Sequence, residues 1–369
     1  MSADGARVSR LARATSEPGD SASGDAALAR AHPLTSFGLD ALVAGAARPR
    51  PWAPAIRDGE TALAFGEVVA AAGAGLARLR ELDLARGERV LLLAAPRAQT
   101  LVALTALVAA GLEPVLAPVH APAERLAAAA RAVRAAAILA PARFGALDLE
   151  ETLLAVAARS PSIRVLATLG GVLDGAVDFS IRALLAPGAP RAPLHDGWPQ
   201  DERVAIGALD DAGAPVFASQ GALLARALDL VRATRAGGAA PALCLVSPAS
   251  LAGLVAGPLA ALLAGVPLHF FSPFEAAAFL KALDATGPAR LVAPAAALPE
   301  FAQAGLLRRR AFVSATAIGE CAEVFDRWRS IATARSHCDC PVVSLDADGA
   351  IRAPSAERTG LGAGAARTA

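Results

Sequence analysis

An α/β fold, built from two doubly wound, mostly parallel β-sheet subdomains flanked by helices, is predicted for most of this sequence. Three observations predict it. From Glu88 onward, short apolar runs alternate with segments of helical period, the pattern of successive strand–helix–strand units. Residues 170–201 interrupt that alternation with Gly, Pro and Asp, and it then resumes. The chain has 369 residues, 55% hydrophobic and 19% charged, which is ample for a large buried core.

Taken in order, residues 1–33 are rich in Ser, Ala, Gly, Asp and Arg without a continuous apolar run, and are expected to form a disordered tail. The first subdomain is expected over 34–169. Its strands are Arg89 to Ala94, Pro114 to Ala117, Ala137 to Ala140 and Ile163 to Thr168, and its helices Ala98 to Ala110, Pro122 to Arg134 and Leu149 to Ala158. Residues 170–201 read as a linker or surface excursion with one short apolar piece, Phe179 to Leu185. The second subdomain is expected over 202–352. Its strands are Val204 to Ala208, Leu243 to Ser247, Leu268 to Phe271, Arg290 to Ala293 and Ala311 to Ser314. Helices near Gly221 to Arg232, Leu251 to Leu263, Phe274 to Ala285, Ala295 to Ala304 and Ile318 to Arg329 separate them. Asp346-Ala-Asp-Gly349 between two apolar runs signals a hairpin, because Asp-Gly tolerates positive φ. Residues 353–369 read as a second disordered tail.

Composition excludes several classes. The formal net charge is +1 with the basic residues dispersed, so a nucleic-acid partner is not expected. Lys281 is the one lysine among 35 Lys and Arg residues, and tyrosine is absent, so any lysine-dependent chemistry must use Lys281. Four cysteines without a secretory signal fit a reducing, cytoplasmic location. Ala236 to Phe274 carries no charged residue and exceeds the roughly 20 residues that span a bilayer. Its five prolines and its Ala and Gly content favour two buried strands around a buried helix instead, which makes a membrane-associated apolar protein the weaker reading.

The segment Arg203 to Ser219 leads from a strand through a Gly-containing loop into a helical run beginning at Gln220, the usual position of a phosphate-binding loop. Such loops hold phosphate with approaching backbone N–H groups and a cation. Here Asp210 and Asp211 oppose that charge, and no lysine is present.

Pro54 to Glu67, followed by a helix and Leu84 to Leu93, resembles the opening of the adenylate-forming superfamily of acyl-CoA synthetases, luciferases and peptide-synthetase adenylation domains. The resemblance continues through Ala109 to Pro118, Pro122 to Leu126, Ser219 to Ala225, Leu262 to Leu268 and Phe274 to Leu280, covering residues 34–330 in order. It implies the large N-terminal domain of such an enzyme, with Gly207, Asp210, Asp211, Gly213, Pro215 and Ser219 at the phosphate loop. Family members end that loop in Gly-x-Pro-Lys-Gly; Gly213-Ala-Pro215 keeps the frame, but Val216 and Phe217 replace Lys and Gly. The family's Pro-x-x-His-x-x-Gly landmark becomes Pro248 to Gly253 without the histidine, and the aromatic-Gly-x-Thr-Glu segment has no match in Phe325 to Gly362. No room is expected before Ala369 for the small C-terminal domain.

Other constellations carry less. His337-Cys-Asp-Cys340 lacks the second ligand pair that a zinc site needs. His120, His195 and His269 are isolated, Ser219 and Ser314 lack a nucleophile elbow, Gly170 to Gly175 is too short for a dinucleotide fingerprint, and Arg308 to Arg310 reads as a solvated helix end. The expectation is a degenerate acyl-CoA synthetase-like protein, non-catalytic, binding an acyl or aryl small molecule or docking an acyl-metabolism enzyme or carrier protein. The alternative is an active carboxylate-CoA or carboxylate-carrier ligase that uses ATP and Mg²⁺ with a C-terminal domain supplied in trans, and with Arg203 or Arg226 replacing the lysine.

Overall fold

The computed structural model describes residues 37–59, 61–194, 202–234, 240–307, 311–319, 340 and 342–351. The tails expected at 1–33 and 353–369 lie outside them, as do His195, Arg308 to Arg310, the expected helix beyond Gly319, and His337 to Asp339.

The chain opens with α1 (Leu39–Ala47), the antiparallel pair β1 (Pro54–Arg57) and β2 (Ala62–Ala64), and α2 (Phe65–Arg80). The wound alternation follows as β3 (Arg89–Leu93), α3 (Ala98–Ala109), β4 (Glu113–Ala117), α4 (Ala123–Val133) and β5 (Ala137–Ala140). A small ribbon, β6 (Arg143–Phe144) and β7 (Leu147–Asp148), precedes α5 (Glu150–Ala158), β8 (Val165–Thr168), β9 (Val177–Asp178) and α6 (Ile181–Leu184). Next come β10 (Ile206–Leu209), β11 (Pro215–Ala218), α7 (Gln220–Ala233), β12 (Ala242–Cys244) and α8 (Leu251–Leu254), which runs through a π-turn (Val255–Leu259) into α9 (Ala260–Ala264). The last elements are β13 (Leu268–Phe270), α10 (Ala276–Thr286), β14 (Ala289–Pro294), α11 (Leu298–Gln303), β15 (Phe312–Ile318) and β16 (Val342–Leu345).

Two seven-stranded sheets result, ordered β11-β10-β4-β3-β5-β8-β9 and β16-β15-β14-β12-β13-β1-β2. Every pairing in them is parallel except β10 with β11 and β1 with β2. The predicted class is therefore the observed one, but the sheets do not divide at residues 170–201. The early hairpin β1–β2 joins the second sheet, with Ile56 opposite Leu268. Strand β10, expected in the second unit, pairs with β4 of the first, Gly207 opposite Val115 and Ala208 opposite Leu116. Residues 170–201 are also partly built in: β9 extends the first sheet, and Phe179 and Leu184 are buried.

Strand alternation sorts side chains into layers. Leu91 and Leu93 face α4 and α5, whereas Leu92 faces a central helical layer that includes α2, α3 and α7 to α9. On the second sheet, Cys244, Leu268 and Val292 face that same layer, while Leu243 and Leu291 face α10 and α11. The arrangement is helix, sheet, helix, sheet, helix. Helix α3, buried along almost its whole length, belongs to the middle layer, which explains its lack of a polar face. The Ser247 hydroxyl donates to the Ala94 carbonyl at 2.7 Å, tying the two sheets directly. The uncharged stretch Ala236 to Phe274 holds β12 and β13 around the helical run, and among the described residues no helix is long and apolar enough to cross a membrane.

Candidate functional site

The expected phosphate loop is a closed β-hairpin. Asp210 N–H donates to the Ala214 carbonyl at 2.9 Å, Gly213 N–H to the Asp210 carbonyl at 2.9 Å, and Ala214 N–H to Asp210 Oδ1 at 2.7 Å. Three amides that an open loop would turn toward phosphate are committed within the turn. Gly213 sits at φ 84°, where other residues are strained. From α4, the Arg125 guanidinium donates to the Asp210 carbonyl at 2.6 Å and also to the Asp211 carbonyl, holding the turn from outside.

Each remaining candidate position has a structural task. Gly207 lets the Phe217 ring lie across its strand, since a Cβ there would come within 2.7 Å of the ring. The Arg89 guanidinium lies over that ring, 4.9 Å from its centroid. Pro215 begins the edge strand β11, a position where no ladder N–H is required. The Ser219 hydroxyl accepts from Ala222 N–H at 3.1 Å and caps α7. Next to it, buried Gln220 accepts from Leu39 N–H at 2.8 Å and donates to the Val204 carbonyl at 2.9 Å, so α7, α1 and the approach to β10 are clasped together. Sequence reading passed over Gln220, because an isolated amide carries no chemical pattern.

The hairpin walls a cavity of about 700 Å³. Leu209, Asp210, Asp211 and Val216 contribute from the first sheet; Ser250, Leu251 and Ala252 after β12, Ile318 and Gly319 at the end of β15, and Ala347 and Asp348 after β16 close it from the second. The expected hairpin at Asp346 to Gly349 is present, with Asp346 N–H donating to Ala350 C=O at 2.9 Å. Thus the carboxyl ends of the second sheet face the turn of the first, the usual place for a ligand in open α/β sheets. The lining is largely aliphatic with carboxylates from Asp210, Asp211 and Asp348.

Residues 43–205 match the family model of AMP-binding enzymes. Over that stretch the chain is similar to AMP-binding enzymes. Solved adenylate-forming enzymes share the fold. MbtA of Mycobacterium smegmatis is 19% identical, with a TM-score of 0.66 over 87% of this chain and 59% of its own. Acetoacetyl-CoA synthetase from Streptomyces lividans is 19% identical, with a TM-score of 0.65 over 84% of this chain and 51% of its own. The anthranilate CoA ligase AuaEII, solved with anthranoyl-AMP, is 12% identical, with a TM-score of 0.62 over 86% of this chain and 60% of its own. The chain thus spans 59% of MbtA and 51% of the synthetase. No curated protein matches.

Against the AMP-binding pattern, Val216 and Phe217 occupy β11, with Val216 half exposed at 45%. The arginines that an active ligase would need in place of a loop lysine are engaged elsewhere. Arg226 on α7 is nearly buried and bonded to Asp348, through Nη2 to Oδ2 at 3.1 Å and Nη1 to the carbonyl at 2.8 Å. Arg203 lies beside Gly38, Asp40 and Gln220 and does not line the cavity. Among the described residues no group of three His, Cys, Asp or Glu converges to hold a metal. Cys244 is buried beneath the π-turn, and burial pushes its thiol up to about 12, which makes it an inert packing residue.

Proposed function

We propose that this chain is an acyl-CoA synthetase-like binding protein. It holds an apolar acyl or aryl group between the two sheets and does not itself form an adenylate. One observation carries the reading: the phosphate-loop position is a turn hydrogen-bonded to itself, with Asp210 and Asp211 at the cavity. A triphosphate brought there would meet carboxylates instead of a cation, and in a partly dry site each such contact is unfavourable by about a few kcal/mol. The aliphatic wall of Leu209, Val216, Leu251 and Ile318 favours a hydrocarbon body. The same carboxylates favour a neutral acyl derivative, such as an ester or thioester, over a free carboxylate.

The test is a calorimetric titration of the full chain with Mg·ATP beside a pyrophosphate-release assay over fatty and aromatic acids. The expected result is no ATP binding and no pyrophosphate, with saturable uptake of a fluorescent acyl thioester that Leu251→Trp reduces by about tenfold. Micromolar ATP binding with acid-dependent pyrophosphate release would replace this reading with that of an active ligase.

A further inference from the structure

A second cavity, of about 470 Å³, opens on the outer face of the second sheet at its β13-β1-β2 edge. The topology leaves it there. Strand β1 turns directly into β2, and β2 runs into α2, which packs in the central layer, so this hairpin delivers no helix to the outer face. The apolar cluster under α10 and α11 accordingly takes in Leu243 of β12 but no residue of β1 or β2. Pro241 and Pro267 line the cavity just before β12 and β13, and Thr286 does so just before β14. These are the amino ends of the strands, the end of the sheet opposite to the hairpin cavity.

Register places the polar groups. Leu243, His269, Arg57 and Ala62 form one row across β12, β13, β1 and β2. Because Ile56 and Leu268 point into the central layer, Arg57 and His269 face outward side by side, into the cavity. Among the described residues neither makes a hydrogen bond or an ion pair, and the lining contains no carboxylate. Burial, then the Arg57 charge, holds the imidazole below its ordinary 6.5, so at neutral pH the pair offers one positive charge and one neutral N–H donor. The Thr286 hydroxyl is engaged within its helix, donating to the Ala282 carbonyl at 2.9 Å.

Trp52 forms the lip of the cavity, with its side chain 78% exposed. Its backbone is held on both sides. Gly66 N–H donates to the Pro51 carbonyl at 2.7 Å, Phe65 N–H to the Ala53 carbonyl at 3.0 Å, and Arg50 Nη2 to the Gly265 carbonyl at 2.9 Å. An indole fixed in this way beside an apolar cavity is a preformed stacking platform.

We infer that this groove binds a free aromatic carboxylate, its ring stacked on the Trp52 indole and its carboxylate accepting from the Arg57 guanidinium and the His269 ring N–H. One positive charge matches a monoanion, whereas a phosphate dianion would leave charge uncompensated in a largely apolar lining. The volume lies within the range of small-molecule sites. A rigid ring also loses less freedom on binding than an alkyl chain. The inference is independent of what the hairpin cavity takes.

Calorimetric titration of the full chain with sodium 2-naphthoate tests it, with 2-naphthamide as the uncharged isostere and acetate as the charge without the ring. Naphthoate should bind saturably and about tenfold more tightly than naphthamide, and acetate should give no saturable heat. Arg57→Gln should bring naphthoate down to the level of naphthamide, and Trp52→Ala should weaken both by about tenfold. Both positions are exposed, so the variants should melt with the parent chain. No saturable naphthoate heat, equal affinity for naphthoate and naphthamide, or undiminished binding in either variant would overturn the assignment. Binding that survives both substitutions and is lost in Leu251→Trp would also overturn it, by placing the ligand in the hairpin cavity.

Discussion

The closed hairpin makes Gly213→Ala the most informative single change. At φ 84° an alanine is strained by about 1–2 kcal/mol. Its Cβ would also lie 2.8 Å from Arg125 Nε, so the guanidinium must move. That movement removes the two bonds to the Asp210 and Asp211 carbonyls, which at this exposed site are together worth about 1 kcal/mol. The expected total is about 2–3 kcal/mol. Arg125→Ala alone should cost about 1 kcal/mol, and the double variant about 2–3 rather than the additive 3–4, since the obstructing side chain is then gone. Urea denaturation of the four proteins, read as midpoint shifts at constant slope, measures the coupling. A Gly213→Ala loss below about 0.5 kcal/mol, or strict additivity, would refute the geometry assigned to this turn.

Three further outcomes are expected. Burial, and secondarily the Arg57 charge, hold the His269 imidazole below its ordinary 6.5. The unfolded chain then takes the proton first, so stability should be full above about pH 6.5 and fall as pH drops toward the folded pKa; His269→Gln should flatten that part of a melting-temperature profile, and an unchanged profile would contradict it. Gln220→Leu should cost about 2–4 kcal/mol in chemical denaturation, because buried Leu39 N–H and the Val204 carbonyl lose their partners. A maleimide followed by mass spectrometry should modify Cys244 only as fast as the chain unfolds, its thiol being buried and held up to about 12; fast labelling of native protein would show the π-turn to be open.

Much of the architecture was legible because burial on both sides of a parallel strand leaves an unbroken apolar run. Arg89 to Leu93 and Ala137 to Ala140 declare themselves in this way. Which sheet a strand joins is a different matter. Ile56 meets Leu268, and Gly207 meets Val115, through contacts between distant stretches that no local pattern encodes. At the site, the local signal for β11 lies in the turn itself. Asp210-Asp-Ala-Gly213 lies between two short apolar runs, the same signal that located the Asp346 to Gly349 turn. The phosphate-loop resemblance rests on the Gly213-Ala-Pro215 frame, which does not by itself encode β11. Arg125 and Asp348 reach the site from α4 and the β16 turn, and only the folded chain brings them there.

The exchange of hairpins between the sheets has a consequence for how the molecule comes apart. Because β1 and β2 complete the second sheet while β10 and β11 complete the first, a cut anywhere between residues 65 and 205 separates a sheet from part of itself. The two halves are thus linked like clasped hands. Fragments made by dividing the chain at the Gly- and Pro-rich stretch would each expose an unpaired strand edge and should aggregate when expressed alone, yet reassemble when produced together.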